Sequence, residues 1–203
     1  MTEVAIGPQR PETMTPRQLE RRRRVLDAVH ELLTTRSLHE VQVKDIADQA
    51  QVSLAAIYRY FSSKEHLLGE ALVDWAEERG RAHERRPPSG SPAERFAAIV
   101  RRGIRGYSRS PQYAELFLET AASRDPHAVD CMGRLSTLIG GGMRAALEDV
   151  DPTVADEVRV TISHAWVGGL FACVHGRSTF AELERALSAT CELLLAPLEA
   201  RSR

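Results

Sequence analysis

The stretch VQVKDIADQAQVSLAAIYRYFSSKEHLL, Val41 to Leu68, constrains this chain more than any other. Val43, Ile46, Ala47 and Ala50 recur at i, i+3, i+4 and i+7, one apolar stripe of a short helix. Val52 falls in a turn, and Ser53 is placed to cap a second short helix whose inward residues are Ala56, Ile57 and Tyr60. That separation is helix-turn-helix spacing, and the small Ala47 lets the two axes approach. Helices this short are marginal alone, so others must clamp them. The outer face of the second helix is left over, and a DNA major groove is what such a face fits.

The rest of the chain reads as helix after helix. Residues 1–14 are polar, carry two prolines and show no periodicity, as expected of a flexible tail. Thr15-Pro16 starts a helix to about Thr35 that buries Leu19, Val25, Leu26, Val29, Leu32 and Leu33 and exposes Arg21 to Arg24. Ser62 with Glu65 reads as a capping box opening a long helix to about Arg85, with Leu67, Leu68, Ala71, Leu72 and Trp75 on one face. The breaker RRPPSGSP follows. Ser91-Pro92, Ser110-Pro111, Asp125-Pro126 and Asp151-Pro152 then repeat the cap-proline formula, and Thr179 with Glu182 makes another capping box. These predict helices near 92–109, 111–123, 126–149, 152–175 and 179–200. No period-2 run competes, so the fold class is all-α with nine helices. Gly140 to Gly142 and Gly168-Gly169 predict close helix packing or a break that can move.

Composition narrows the partners. Net charge is −1, so nucleic-acid affinity must be local. From Pro16 to Lys64 there are nine Lys or Arg against six Asp or Glu. The three cysteines, at 131, 173 and 191, match no metal spacing and no disulfide framework, which reads as a reducing cytoplasm. There is no signal-peptide pattern, and Ala165 to Val174 is too short to span a bilayer.

The pattern VxVxDIAxxAxVSxxxIYRYFxxKxxLL resembles the DNA-binding signature of TetR-type transcriptional regulators. YRYFSSKEHLL with the later ISHAW segment is similar to the members of that family that control steroid or fatty-acid degradation in actinobacteria, the cholesterol-catabolism repressor type among them. The resemblance implies a helix-turn-helix domain over 15–64 and an effector-binding and dimerisation domain over 65–203. It also implies a bacterial repressor that holds operator DNA and responds to a small effector. Two positions depart from the family, which usually has glycine where this chain has Gln51 in the turn and Ala55 in the recognition helix. If the turn is left-handed, Gln51 costs roughly 1–2 kcal/mol.

If the second short helix enters the groove, its outward residues are Ser53, Leu54, Ala55 and Arg59. Leu54 and Ala55 suit a thymine methyl, and Arg59 a guanine edge or a phosphate. Gln42 and Lys44 begin the preceding helix and are placed to clamp the same strand. The resemblance assigns Tyr58, Tyr60 and Lys64 to phosphates. Arg21 to Arg24 are either a solvated face or further DNA contacts. A unit this small reads few base pairs, so a homodimer on a palindromic site is expected. The last two helices are the candidate interface, through Val160, Ile162, Val167, Phe171, Leu183, Leu187, Leu193, Leu194 and Leu195. Ala165, Ala172, Ala186 and Ala189 would permit close contact there.

In the family, helices four to eight enclose a pocket. On that basis Trp75, Phe96, Tyr107, Phe117, Leu138, Met143 and Trp166 are the candidate ligand-binding residues, and the effector is hydrophobic: a steroid, fatty acid or acyl-CoA. The fourth helix, near Trp75, would carry the response to the DNA end. No Walker loop, GxGxxG, GxSxG or paired-His motif is present, so neither catalytic nor metal-binding residues nor a cofactor are expected. The competing readings are a constitutive DNA-binding protein without an effector, and a helical carrier or enzyme that has lost operator binding.

Overall fold

The computed structural model describes residues 8, 9, 11–84 and 89–201, without the side chains of residues 82–84 and 197–201. Among the described residues there are nine α-helices and two short 3-10 helices, and no strand. The helices are α1 Pro16–Thr35, α2 Val43–Ala50, α3 Leu54–Tyr60, α4 Lys64–Glu84, α5 Pro92–Arg109, α6 Gln112–Ala122, α7 Pro126–Ala146, α8 Pro152–Val174 and α9 Phe180–Arg201. Every start predicted from a cap-proline pair lies within two residues of an observed one. Arg85, expected to end α4, and most of the expected tail lie outside the described residues. Of that tail, Pro11–Thr13 form a 3-10 helix and Met14 is buried.

The chain divides into two compact units, one of Met1–Trp75 with Glu119–Gly133 and one of Ala76–Leu118 with Arg134–Arg203. The cut differs from the functional division expected at residue 64, because the first half of α4 and the α6–α7 corner go with the helix-turn-helix.

In the first unit α1, α2 and α3 pack on one another around Val25, Val29, Ile46, Ile57 and Phe61, all at most 1% exposed. Leu19, expected inside, is 41% exposed, since it lies nearly two turns before the buried stripe begins at Val25. The α2–α3 turn is a Schellman arrangement: the Val52 amide donates to the Ala47 carbonyl (3.0 Å) and the Gln51 amide to that of Asp48 (3.2 Å). Gln51 sits at φ 54°, ψ 49°, the left-handed conformation that glycine adopts without cost. Gln51→Gly is therefore expected to stabilise the protein by about 0.5–1 kcal/mol. A urea-denaturation midpoint that does not rise would contradict a strained turn.

The start of α4 departs from expectation. The helix begins one residue later than a Ser62 cap requires, and Ser63 caps it, accepting from the His66 amide at 3.0 Å. The Ser62 amide instead donates to Nδ1 of His66, at 3.0 Å. His66 thus fills the role expected of Glu65, which is exposed. Across the α6–α7 corner, Asp125 accepts from the amides of His127 (2.8 Å) and Ala128 (3.1 Å) and caps α7. Burial raises the Asp125 carboxyl, but hydrogen bonds from Ser63, Ala128, His127 and Ser62 outweigh that and hold it below the ordinary carboxylate value.

In the second unit α9 packs on α5 and α8. Two glycines seat large side chains there. A Cβ on Gly103 would lie 2.3 Å from Cη2 of Trp166, and one on Gly169 would lie 2.0 Å from a Leu183 methyl. Gly103 of α5 meets a rigid indole, so Gly103→Ala is expected to cost about 1–3 kcal/mol through overpacking, despite the gain in helix propensity. Pairing it with Trp166→Phe should recover part of the loss, and additive penalties in that double-mutant cycle would contradict the contact. The Gly140–Gly142 run neither breaks α7 nor mediates close packing: a Cβ on Gly141 meets nothing within 4 Å, and on Gly140 or Gly142 only ordinary contacts.

Candidate nucleic-acid interface and effector region

The outer surface of the helix-turn-helix is built by what lies beneath it. Ala56, Ile57 and Tyr60 turn α3 inward, which leaves Leu54, Ala55, Tyr58 and Arg59 on its opposite side, all exposed. Leu54 is 44% and Tyr58 51% exposed, two large side chains adjacent on this one face. The Ser53 hydroxyl accepts from the Ala56 amide at 3.2 Å and is spent on capping α3. Gln42 and Lys44 are exposed at the start of α2, where the Gln42 amide donates to the Asp45 carboxylate at 3.1 Å. Lys64 is half-buried in the first turn of α4.

Tyr60 departs from the role implied by the resemblance. Its ring is 2% exposed and packs edge-on to Phe61, 6.5 Å between centroids, while its hydroxyl accepts from the Arg59 guanidinium at 3.1 Å. Helical periodicity places it inward, and the helical face decides. Within the arginine run, Arg22 is withdrawn from solvent into an ion pair, whereas Arg23 stays 47% exposed on the solvated face while pairing with acids. Arg22 pairs with Glu70, and Arg23 with Asp27 and Asp74, which also binds His30 at 2.9 Å. These arginines fasten α1 to α4.

Of the candidate effector residues, Phe96, Tyr107, Phe117, Met143 and Trp166 are buried in the second unit. Tyr107 meets Phe117 (6.2 Å) and Trp166 (6.1 Å) edge-on, so three of the expected side chains form one aromatic cluster. Burial pushes the Tyr107 hydroxyl well above its ordinary value. Leu138 is not buried with them; it is 38% exposed, with a methyl 3.8 Å from where a Cβ on Gly80 of α4 would stand. Trp75 is half-buried and closes the first unit.

The apolar residues expected at a dimer interface separate into two sets. Ile162, Leu183, Leu187 and Leu195 are core, and Leu194 is intermediate. Val160, Val167, Phe171 and Leu193 are exposed, at 42%, 40%, 45% and 76%. On α8 the exposed positions 160, 164, 167, 168 and 171 run down one helical face beside Ala165, and on α9 Ala186, Ala189 and Leu193 do the same. No helix among the described residues is long and apolar enough to cross a membrane.

Comparison with known proteins agrees with this architecture. Residues 25–71 match the family model described as bacterial regulatory proteins, tetR family, and residues 90–194 match the tetracyclin repressor-like C-terminal domain. The HTH-type transcriptional repressor KstR of Rhodococcus jostii is 33% identical over 180 residues, covering 88% of this chain and 84% of that protein. The crystal structure of a TetR transcriptional regulator from Rhodococcus sp. RHA1 superposes with a TM-score of 0.76 at 26% identity, covering 90% of this chain and 98% of that one. The transcriptional regulator FadR of Bacillus subtilis, crystallised with stearoyl-CoA, shares the fold at 18% identity, with a TM-score of 0.62 over 85% of this chain and 96% of its own. With both of its regions matched, this chain belongs to the TetR family of bacterial transcriptional regulators.

Proposed function

We propose that the chain is a repressor that binds a palindromic operator as a homodimer and leaves it when an apolar effector binds. The observation that carries the DNA part is the outer face of α3, where Leu54, Ala55, Tyr58 and Arg59 stand exposed on a helix whose other side is core. In this reading Leu54 and Ala55 meet base edges, and Arg59 a base or phosphate. Tyr58, Lys64, Gln42 and Lys44 hold phosphates, and Ser53 positions the helix. The exposed apolar stripes of α8 and α9 form the two-fold interface through Val160, Val167, Phe171 and Leu193.

The effector reading rests on the aromatic cluster of Tyr107, Phe117 and Trp166, with Phe96 and Met143 buried on helices of the same unit. An apolar, aromatic-rich interior of this kind suits a steroid, fatty acid or acyl-CoA, and a regulator of this fold holds stearoyl-CoA. α4 runs without interruption through the division between the two units at Trp75, so it is the element that would carry the response. An effector that prefers the DNA-free state by about 3 kcal/mol weakens operator binding roughly 150-fold.

The test is a fluorescence-anisotropy titration of DNA from upstream of the protein's own gene, repeated with a sterol, a long-chain fatty acid and its acyl-CoA. Sequence-specific retention and release by one of these is expected. Retention that none of them reverses would favour a constitutive binder, and no specific retention at low salt would sink the regulator reading.

A further inference from the structure

We propose that the first unit contains a binding site for a zinc-class transition-metal ion, built from His66 and Glu70 of α4 and Cys131 of α7, with His127 beside it. Nothing in the DNA-binding or effector roles requires this cluster. His66 and Glu70 are spaced i, i+4, and so are His127 and Cys131, so each helix presents two donors on one face. Nε2 of His66, a carboxylate oxygen of Glu70 and Sγ of Cys131 all lie within 4.8 Å of one another. The Glu70 Oε1 atom is 3.5 Å from His66 Nε2 and 3.7 Å from Cys131 Sγ. Ligand atoms around a tetrahedral zinc stand roughly 3.3–3.6 Å apart, so two separations already fit and the widest must close by about 1 Å.

The surroundings are those of a built site. Cys131 is 1% and His66 7% exposed. Gly69 makes the approach of the two helices possible, since a Cβ there would stand 3.0 Å from that of Cys131 and 3.2 Å from a Thr120 methyl. The second oxygen of Glu70 is held by Arg22, which leaves Oε1 turned to the cluster. The His127 ring stacks on that of His66 at 4.8 Å and is half-buried, which makes it the nearest candidate for the fourth position, water being the other. One thiolate, one carboxylate and one neutral imidazole balance a divalent ion and suit zinc better than a hard ion such as magnesium.

Loading also has a defined proton balance. Without metal, Nδ1 of His66 accepts from the Ser62 amide, so Nε2 carries the proton and faces Glu70. A metal on Nε2 moves that proton to Nδ1, where the Ser62 hydroxyl, 3.2 Å away, is the available acceptor. Cys131 releases its own proton to solvent, one per ion bound. The Ser62 amide loses its acceptor, so loading alters the link between α3 and α4.

Cobalt(II) titration of the metal-free full-length protein tests the site. Wild type and Cys173→Ser should each bind one equivalent, with an intense near-ultraviolet thiolate-to-cobalt band and visible bands of tetrahedral strength, displaced by zinc. Cys131→Ser should lose the band and bind about 100-fold more weakly or worse. No band in wild type at excess cobalt, or a band that persists in Cys131→Ser, overturns the proposal. If Cys131→Ser does not fold, zinc K-edge absorption of the loaded wild type decides: one sulfur neighbour is expected, and a shell of nitrogen and oxygen alone refutes it.

Discussion

Leu54→Glu is expected to lower operator affinity about 100-fold or more while leaving the fold intact. Leu54 opens α3, is 44% exposed and supports no part of the core. In the proposed interface a carboxylate there would remove the apolar contact to a base edge and place negative charge against the DNA. The loss per recognition helix is about 1–3 kcal/mol, and a dimer inserts two. Stability should stay within about 0.5 kcal/mol of wild type, as for an exposed substitution. Anisotropy titration and urea denaturation of one preparation separate the two effects. Unchanged DNA affinity would mean that this face of α3 is not the reading surface.

Phe61→Ala should do the reverse, destabilising the protein by about 3–5 kcal/mol and losing DNA binding only as a consequence. Phe61 is fully buried and ends the recognition helix as its C-cap. Its ring stands edge-on to Tyr60 and to His66, at 6.5 and 5.6 Å, and the Arg22 guanidinium lies 5.2 Å over its face. Truncation opens a cavity where α1, α3 and α4 are tied together, and Arg22 keeps its Glu70 partner but not its aromatic floor. Such a loss is a large part of the stability of a typical domain. Phe61→Leu, which keeps most of the volume, should cost markedly less. Equal denaturation midpoints for wild type and Phe61→Ala would contradict its place at this junction.

These two variants mark what a sequence can disclose about such a chain. Helix starts are legible because their chemistry is local: Thr15-Pro16, Ser91-Pro92, Asp125-Pro126 and Asp151-Pro152 each cap within a few residues. The strain at Gln51 is legible for the same reason. Sequence misleads where one residue of register or a distant partner decides. Moving the α4 cap from Ser62 to Ser63 turns the helix by about 100°, and brings His66 rather than Glu65 back to the cap. Tyr60 reads inward from periodicity and outward from resemblance, and the seven residues of α3 leave room for only one inner face. Leu138, Leu19 and the inner leucines of α9 are sorted only by tertiary packing. The pairs His66–Glu70 and His127–Cys131 are visible as i, i+4 spacings, but 61 residues separate Glu70 from Cys131, and only folding brings them together.

The central claim, that the outer face of the helix-turn-helix and the cations beside it hold DNA, is tested most directly by the salt dependence of operator binding in wild type and Lys64→Ala. Lys64 stands in the first turn of α4, and in the proposed interface its ammonium and the helix amides meet the same phosphate. With one fewer phosphate neutralised by each protomer, the slope of log K against log salt should flatten by about 2 for the dimer, and affinity should fall for specific and unrelated sequences alike. Identical slopes and affinities for the two proteins would contradict it.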